Sequence, residues 1–112
     1  MGTSLLEFHV LLALAGGALH GYAIAERVAA ESGGTLAPRA GSLYRVIARL
    51  IREGLVAESE GEAEAEIPHP GLARRYYALT AAGRRTLGEE ARRLKQAAAA
   101  AEKRLGLARG RS

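Results

Sequence analysis

Between Pro38 and Gly54, five apolar side chains, Leu43, Val46, Ile47, Leu50 and Ile51, recur with the steps of one helical face, and beyond Gly54 the pattern changes to two short β-forming segments. A helix that hands directly onto a hairpin, with further helical segments ahead of it, admits few architectures. Pro38 suits the first turn because the amide it lacks would be unpaired there, so the helix is expected over residues 38–53. Its other side carries Gly41, Arg45, Ala48, Arg49 and Arg52, a basic face interrupted by small residues.

Two helices are expected upstream. Ser4-Leu5-Leu6-Glu7 has the spacing of a capping box, and the helix it opens should run to about Ala15. Leu5, Leu6, Phe8, Val10, Leu11, Leu12 and Leu14 surround nearly the whole cylinder, which implies burial on more than one side. Gly16-Gly17 stops it. A second helix spans Tyr22 to Glu31, with Ile24 and Val28 facing inward, and Gly33-Gly34 ends it. His20, in the glycine turn between the two, reads as a helix-start residue, and His9 falls near the face expected to meet a second subunit.

After Gly54, Leu55 to Glu60 and Arg74 to Leu79 read as strands joined across Pro68, Pro70 and Gly71. Tyr76 and Tyr77 then point to opposite faces, one toward the core. Thr80 can cap a last helix from Ala81 to about Leu105, although Gly83 and Gly88 weaken its first turns. Along it Leu87, Ala91, Leu94, Ala98, Ala101 and Leu105 alternate steps of four and three, an a/d heptad seam. Alanine at half of the seam positions permits close approach but buries little area, so the seam calls for a partner beyond itself. Leu5, Phe8 and Leu12 of a second copy's first helix would supply one. The expected fold is therefore mainly α with a small β-hairpin: a winged helix-turn-helix over residues 1–80 (wing about 55–79), a dimerisation helix over 81–106, and a frayed tail over 107–112.

Composition supports pairing. The 112 residues make a single domain, and 24 of the apolar ones are alanine, with sixteen leucines, one Phe and no Trp to fill a core. The formal net charge is +4, yet five of the twelve glutamates fall between Glu58 and Glu66, so over the rest of the chain sixteen bases face seven acids. Fourteen of those bases are arginine, the side chain that best matches phosphate and base edges. Without Cys, disulfides, thiolate-bound zinc and thiol catalysis are excluded. There is also no Asp, no glycine-rich phosphate loop and no nucleophile–base motif, so no enzyme, metal or cofactor is expected. No run approaches the ~18 apolar residues of a membrane span, and a soluble, cytoplasmic protein is expected.

Four segments together, Leu19-His20-Gly21-Tyr22, Gly41-Ser42-Leu43-Tyr44, Gly54-Leu55-Val56 and Arg74-Arg75-Tyr76-Tyr77-Ala78-Leu79-Thr80, resemble the PadR family of bacterial transcriptional regulators over about Leu5 to Leu87. The resemblance implies a homodimeric winged-helix protein that binds double-stranded DNA, most often as a repressor, with the first and last helices forming the dimer. In that setting the N-terminal half of the third helix enters the major groove, and two copies read half-sites ~34–36 Å apart in a pseudo-palindromic operator. Gly41 and Ser42 let the backbone approach closely, Ser42 and Tyr44 can donate hydrogen bonds, and Arg45 and Arg49 are the candidates for guanine or phosphate. Arg39 joins this set. By resemblance Tyr22 anchors a phosphate, Arg74 and Arg75 meet the minor groove or its flanks, and a small aromatic or amphiphilic effector binds near Phe8 at the dimer interface.

The wing departs from the pattern, because Glu58 to Glu66 places carboxylates where a DNA-facing wing prefers bases. His69 beside them lacks the fixed geometry of a metal site. A winged-helix module that binds an acidic protein and reads no DNA therefore stands as the alternative.

Overall fold

Ser4 and Glu7 close the capping box. The Ser4 hydroxyl accepts from the Glu7 amide at 3.1 Å, and the Glu7 carboxylate accepts from the Ser4 amide at 3.0 Å. The computed structural model describes residues 4–59 and 75–107. Within them the chain forms α1 (Leu5–Ala13), a 3-10 turn (Leu14–Gly16), β1 (Leu19–His20), α2 (Gly21–Glu31), α3 (Ala40–Arg52), β2 (Val56–Ser59), β3 (Tyr76–Leu79) and α4 (Ala81–Leu105). The mainly α fold with its small sheet is the one expected. The rest of the wing, including Glu60 to Glu66, His69 and Arg74, and the tail from Ala108 lie outside the described residues.

Several boundaries differ for local reasons. The first helix tightens into a 3-10 turn at Leu14 before Gly17, at φ 144°, turns the chain. α3 begins at Ala40, not Pro38, because Arg39 is still extended at φ −75°, ψ 159° and acts as the N-cap. Leu107, assigned above to the frayed tail, is tied by its amide to the Glu102 carbonyl at 2.7 Å, with Gly106 in the left-handed region. α2 ends similarly: Gly33 and Gly34 bond back to Ala30 and Ala29, satisfying carbonyls that the last turn would leave open.

The hairpin becomes a three-stranded antiparallel sheet in the order β1-β3-β2. Leu19 and His20 pair with Tyr77 and Tyr76, a strand too short to show any alternation in sequence. On the other side Val56 to Ser59 pair with Leu79 to Tyr76. Val10, Leu11 and Leu14 from the first helix, Ile24 and Val28 from α2, and Leu43, Ile47 and Leu50 from α3 meet Val56 and Tyr77 in one core. Tyr77 is thus the inward tyrosine of its pair, while Tyr76 is half-buried.

α4 begins on this core and leaves it. Thr80 Oγ1 accepts from the Gly83 amide at 3.0 Å and donates to the Gly54 carbonyl at 2.6 Å, joining the helix to the turn before β2. A Cβ on Gly83 would lie 2.1 Å from the Leu55 carbonyl oxygen. By propensity alone Gly83 weakens the helix, but a bare backbone is what lets α4 seat there. From Ala91 to Leu105 every residue except Ala100 is exposed. A chain of this length packed as a sphere-like domain has a radius of gyration of ~13 Å. The observed 16.1 Å, with a long axis of 53 Å, reflects this projecting helix. No helix among the described residues is long and apolar enough to cross a membrane.

Candidate nucleic-acid interface

The outer face of α3 follows from its period. With Leu43, Ile47 and Leu50 buried, Gly41, Tyr44, Arg45, Ala48, Arg49 and Arg52 are left exposed and Ser42 partly so. Ser42, Arg45, Val46, Ala48, Arg49 and Arg52 line a shallow open groove along it. Its three arginines are differently engaged. Among the described residues Arg45 bonds only to the Ser42 hydroxyl, at 3.4 Å. Arg49 lies 3.2 Å from Glu7 of α1 and 3.5 Å from Glu53. Arg52 has no ion pair among the described residues.

Tyr44 leans across to the start of α2. Its hydroxyl occupies the space beside Gly21, and the residue stays 46% exposed at the junction of the two helices. Just ahead, His20 Nδ1 accepts from the Ala23 amide at 3.2 Å and caps α2, the helix-start role expected of it. Its ring stacks with exposed Tyr22, centroids 6.5 Å apart, and meets Tyr76 edge-on at 5.5 Å. Tyr22, Tyr44, Ser42 and Arg45 therefore flank one helix-turn-helix junction. Arg39, the α3 cap, is exposed close by.

On the sheet, Arg75 precedes β3 and donates to Glu58 of β2 at 3.5 Å, so the first carboxylate of the acidic run neutralises a wing base. Burial pushes the Tyr77 phenol up from its usual range, with smaller upward contributions from Tyr44 and Glu58 and an opposing one from Arg75. Among the described residues no cluster of three or more His or Glu side chains gathers.

The proposed dimer residues split by exposure. Leu94 and Leu105 are exposed, as are Ala91, Ala98, Ala101 and Leu5, whereas Leu87, Phe8 and Leu12 are partly covered. His9 lies edge-on to Phe8, and its buried Nδ1 has no hydrogen-bond partner among the described residues.

Two pairings escaped the sequence reading. In sequence Glu7 is only half of a capping box, yet it is 6% exposed and holds Arg49. Glu90 is 8% exposed and bound by Arg93, one turn along α4. A charged residue within an otherwise apolar stretch, as Glu7 stands in the first helix, was the one available signal.

The model of the PadR-like family of transcriptional regulators matches residues 10–89. A PadR-like transcriptional regulator from Bacillus cereus superposes with a TM-score of 0.73 at 20% identity, over 96% of this chain and 94% of that one. Bacillus subtilis PadR, solved in complex with operator DNA, superposes with a TM-score of 0.62 at 23% identity, over 77% and 46% respectively. These likenesses show the winged-helix fold. An uncharacterized 37.1 kDa protein in transposon TN4556 of Streptomyces fradiae is 41% identical over 91 residues, covering 81% of this chain, which spans 23% of that protein's length.

Proposed function

Because this chain belongs to the PadR-like family of transcriptional regulators, and not to a family of enzymes, we propose that it regulates transcription as a homodimer reading a pseudo-palindromic operator through α3. The observation that carries this reading is the exposed basic groove beside the helix-turn-helix junction, where Arg45 has no carboxylate partner among the described residues. Ser42, Tyr44 and Arg45 act on base edges, with Gly41 admitting the backbone. Tyr22, Arg39, Arg74 and Arg75 act on phosphates, and a phosphate that takes Arg75 must draw it from Glu58. Residues 1–80 form the DNA-binding unit and 81–106 the dimerisation helix. Support for pairing comes from the α4 seam beyond Leu87, where Ala91, Leu94, Ala98, Ala101 and Leu105 are left exposed by the described residues. Repression, and release by a small aromatic or amphiphilic effector beside Phe8, follow from the family resemblance.

The test is fluorescence anisotropy on the DNA upstream of the protein's own gene, with random duplex as competitor and Tyr44→Ala and Arg45→Ala variants alongside. The expected result is competitor-resistant binding, weakened by ~1–3 kcal/mol in Arg45→Ala and falling steeply with salt. The Glu58–Arg75 pair favours a rival, a winged-helix module for a protein partner, since it removes a base from the wing. Equal, competitor-sensitive binding by all three proteins would select the rival.

A further inference from the structure

Arg45 and Arg49 are one turn apart on the same face but stand in different electrostatic company. Arg49 Nη2 is 3.2 Å from Glu7 Oε2, and its Nε is 3.5 Å from Glu53 Oε2. The other Glu7 oxygen accepts the Ser4 amide at 3.0 Å. One nearly enclosed carboxylate thus caps α1 with one oxygen and holds α3 with the other. A carboxylate so buried needs its cation, because removing one partner strands the other charge out of water. Arg49 also lies toward the C-terminal half of α3, a turn beyond the segment proposed to read bases.

We propose that Arg49 is a positioning residue and not a DNA contact: clamped by Glu7 and Glu53, it pins α3 to α1 and sets the pose in which Ser42, Tyr44 and Arg45 meet the operator. This rests on the DNA-reading function proposed above. A phosphate that recruited Arg49 would have to displace two carboxylates and leave Glu7 buried without its counter-ion. Arg45 faces no such competition, so the two arginines should differ in kind when each is removed.

The discriminating variant is the double substitution Glu7→Gln with Arg49→Gln, which keeps the net charge and leaves neither charge buried alone. Binding to random duplex is followed by anisotropy across salt concentrations for the wild type, Arg45→Gln, Arg49→Gln and the double variant. Losing one phosphate contact lowers the slope of log affinity against log salt by about 0.9. That loss is expected for Arg45→Gln, whose guanidinium on random duplex has no matching base edge and meets phosphate instead, and not for the double variant, whose preference for its best duplex over random sequence nonetheless falls about threefold to thirtyfold. A slope loss of about 0.9 in the double variant overturns the proposal.

A cycle of thermal unfolding on the same proteins, with Glu7→Gln added, is read without DNA. A latch requires that the double variant be more stable than the sum of the two single losses allows, and that Arg49→Lys recover part of the loss. Additive losses overturn it. If the wild type binds no duplex, the DNA reading fails by itself and this cycle alone decides whether Glu7 and Arg49 fix the seat of α3.

Discussion

The Tyr44 hydroxyl lies 2.2 Å from where a Cβ on Gly21 would stand, so the first residue of α2 has no side chain because α3 uses its space. This close approach sets the junction of the helix-turn-helix. It also separates two consequences that usually travel together, since the obstructing atom is the movable end of an exposed ring and not backbone.

Gly21→Ala is therefore expected to leave folding nearly intact and to impair recognition. Alanine is the better helix former, by up to about 1 kcal/mol in a helix interior and less at this first position, which offsets part of the cost of swinging Tyr44 aside. The melting temperature should move by less than about 4 °C, while operator affinity falls by ~1–3 kcal/mol. Calorimetry and anisotropy on one preparation check both, and unchanged affinity would show that the pose of Tyr44 is irrelevant.

The two glycines early in α4 should respond with opposite signs. A Cβ at Gly83 meets the Leu55 carbonyl oxygen at 2.1 Å and Leu79 Cδ2 at 3.1 Å, and backbone cannot step aside cheaply. Gly83→Ala is expected to cost about 1–3 kcal/mol. At Gly88 the nearest atom is Arg92 Nη1 at 3.8 Å, so Gly88→Ala should gain about 0.5–1 kcal/mol from helix propensity. Urea unfolding of the two variants settles the pair, and a tolerated Gly83→Ala would refute the close seat of α4.

Tyr77 should make the protein alkali-sensitive. Burial foremost, then Tyr44 and Glu58, raise its phenol above 10.0, against the pull of Arg75. The unfolded chain therefore releases this proton first as pH rises. The stabilisation is complete below about pH 10 and is lost as pH climbs from there through the raised folded value. Urea midpoints measured from about pH 8 to 11 should fall at the top of that range, and less so in Tyr77→Phe; parallel curves would exclude Tyr77 as the cause.

Leu94→Glu should divide the proposed dimer. Leu94 is 37% exposed and Leu105 70% exposed on the free part of α4, and a charge in an a/d seam is costly to bury. Light scattering at micromolar concentration is expected to give twice 11.8 kDa for the wild type and the single mass for the variant. A monomeric wild type would overturn pairing through this seam.

Features with a local signature were legible from the residues. Ser4 and Glu7 cap α1 as their spacing required, α4 spans the residues expected, and the inward face of α3 is the one its period marked. Such features depend on neighbours three or four residues apart, which sequence order already places together. β1 was not legible because two residues carry no periodicity, and its pairing is supplied by Tyr76 and Tyr77 more than fifty positions later.

By itself the sequence determined the order of α1 to α4 and of the wing strands β2 and β3, the glycine stops, the basic outer face of α3 and the apolar seam of α4. Caps, periods and turns are properties of adjacent residues, and they act before any distant contact forms. Only the tertiary structure decided that Glu7 would neutralise Arg49, that Gly21 would make room for Tyr44, and that Gly83 would admit the Leu55 carbonyl. Each of these joins elements separated along the chain, and the packing of the shared core alone brings them within reach of charge or steric contact.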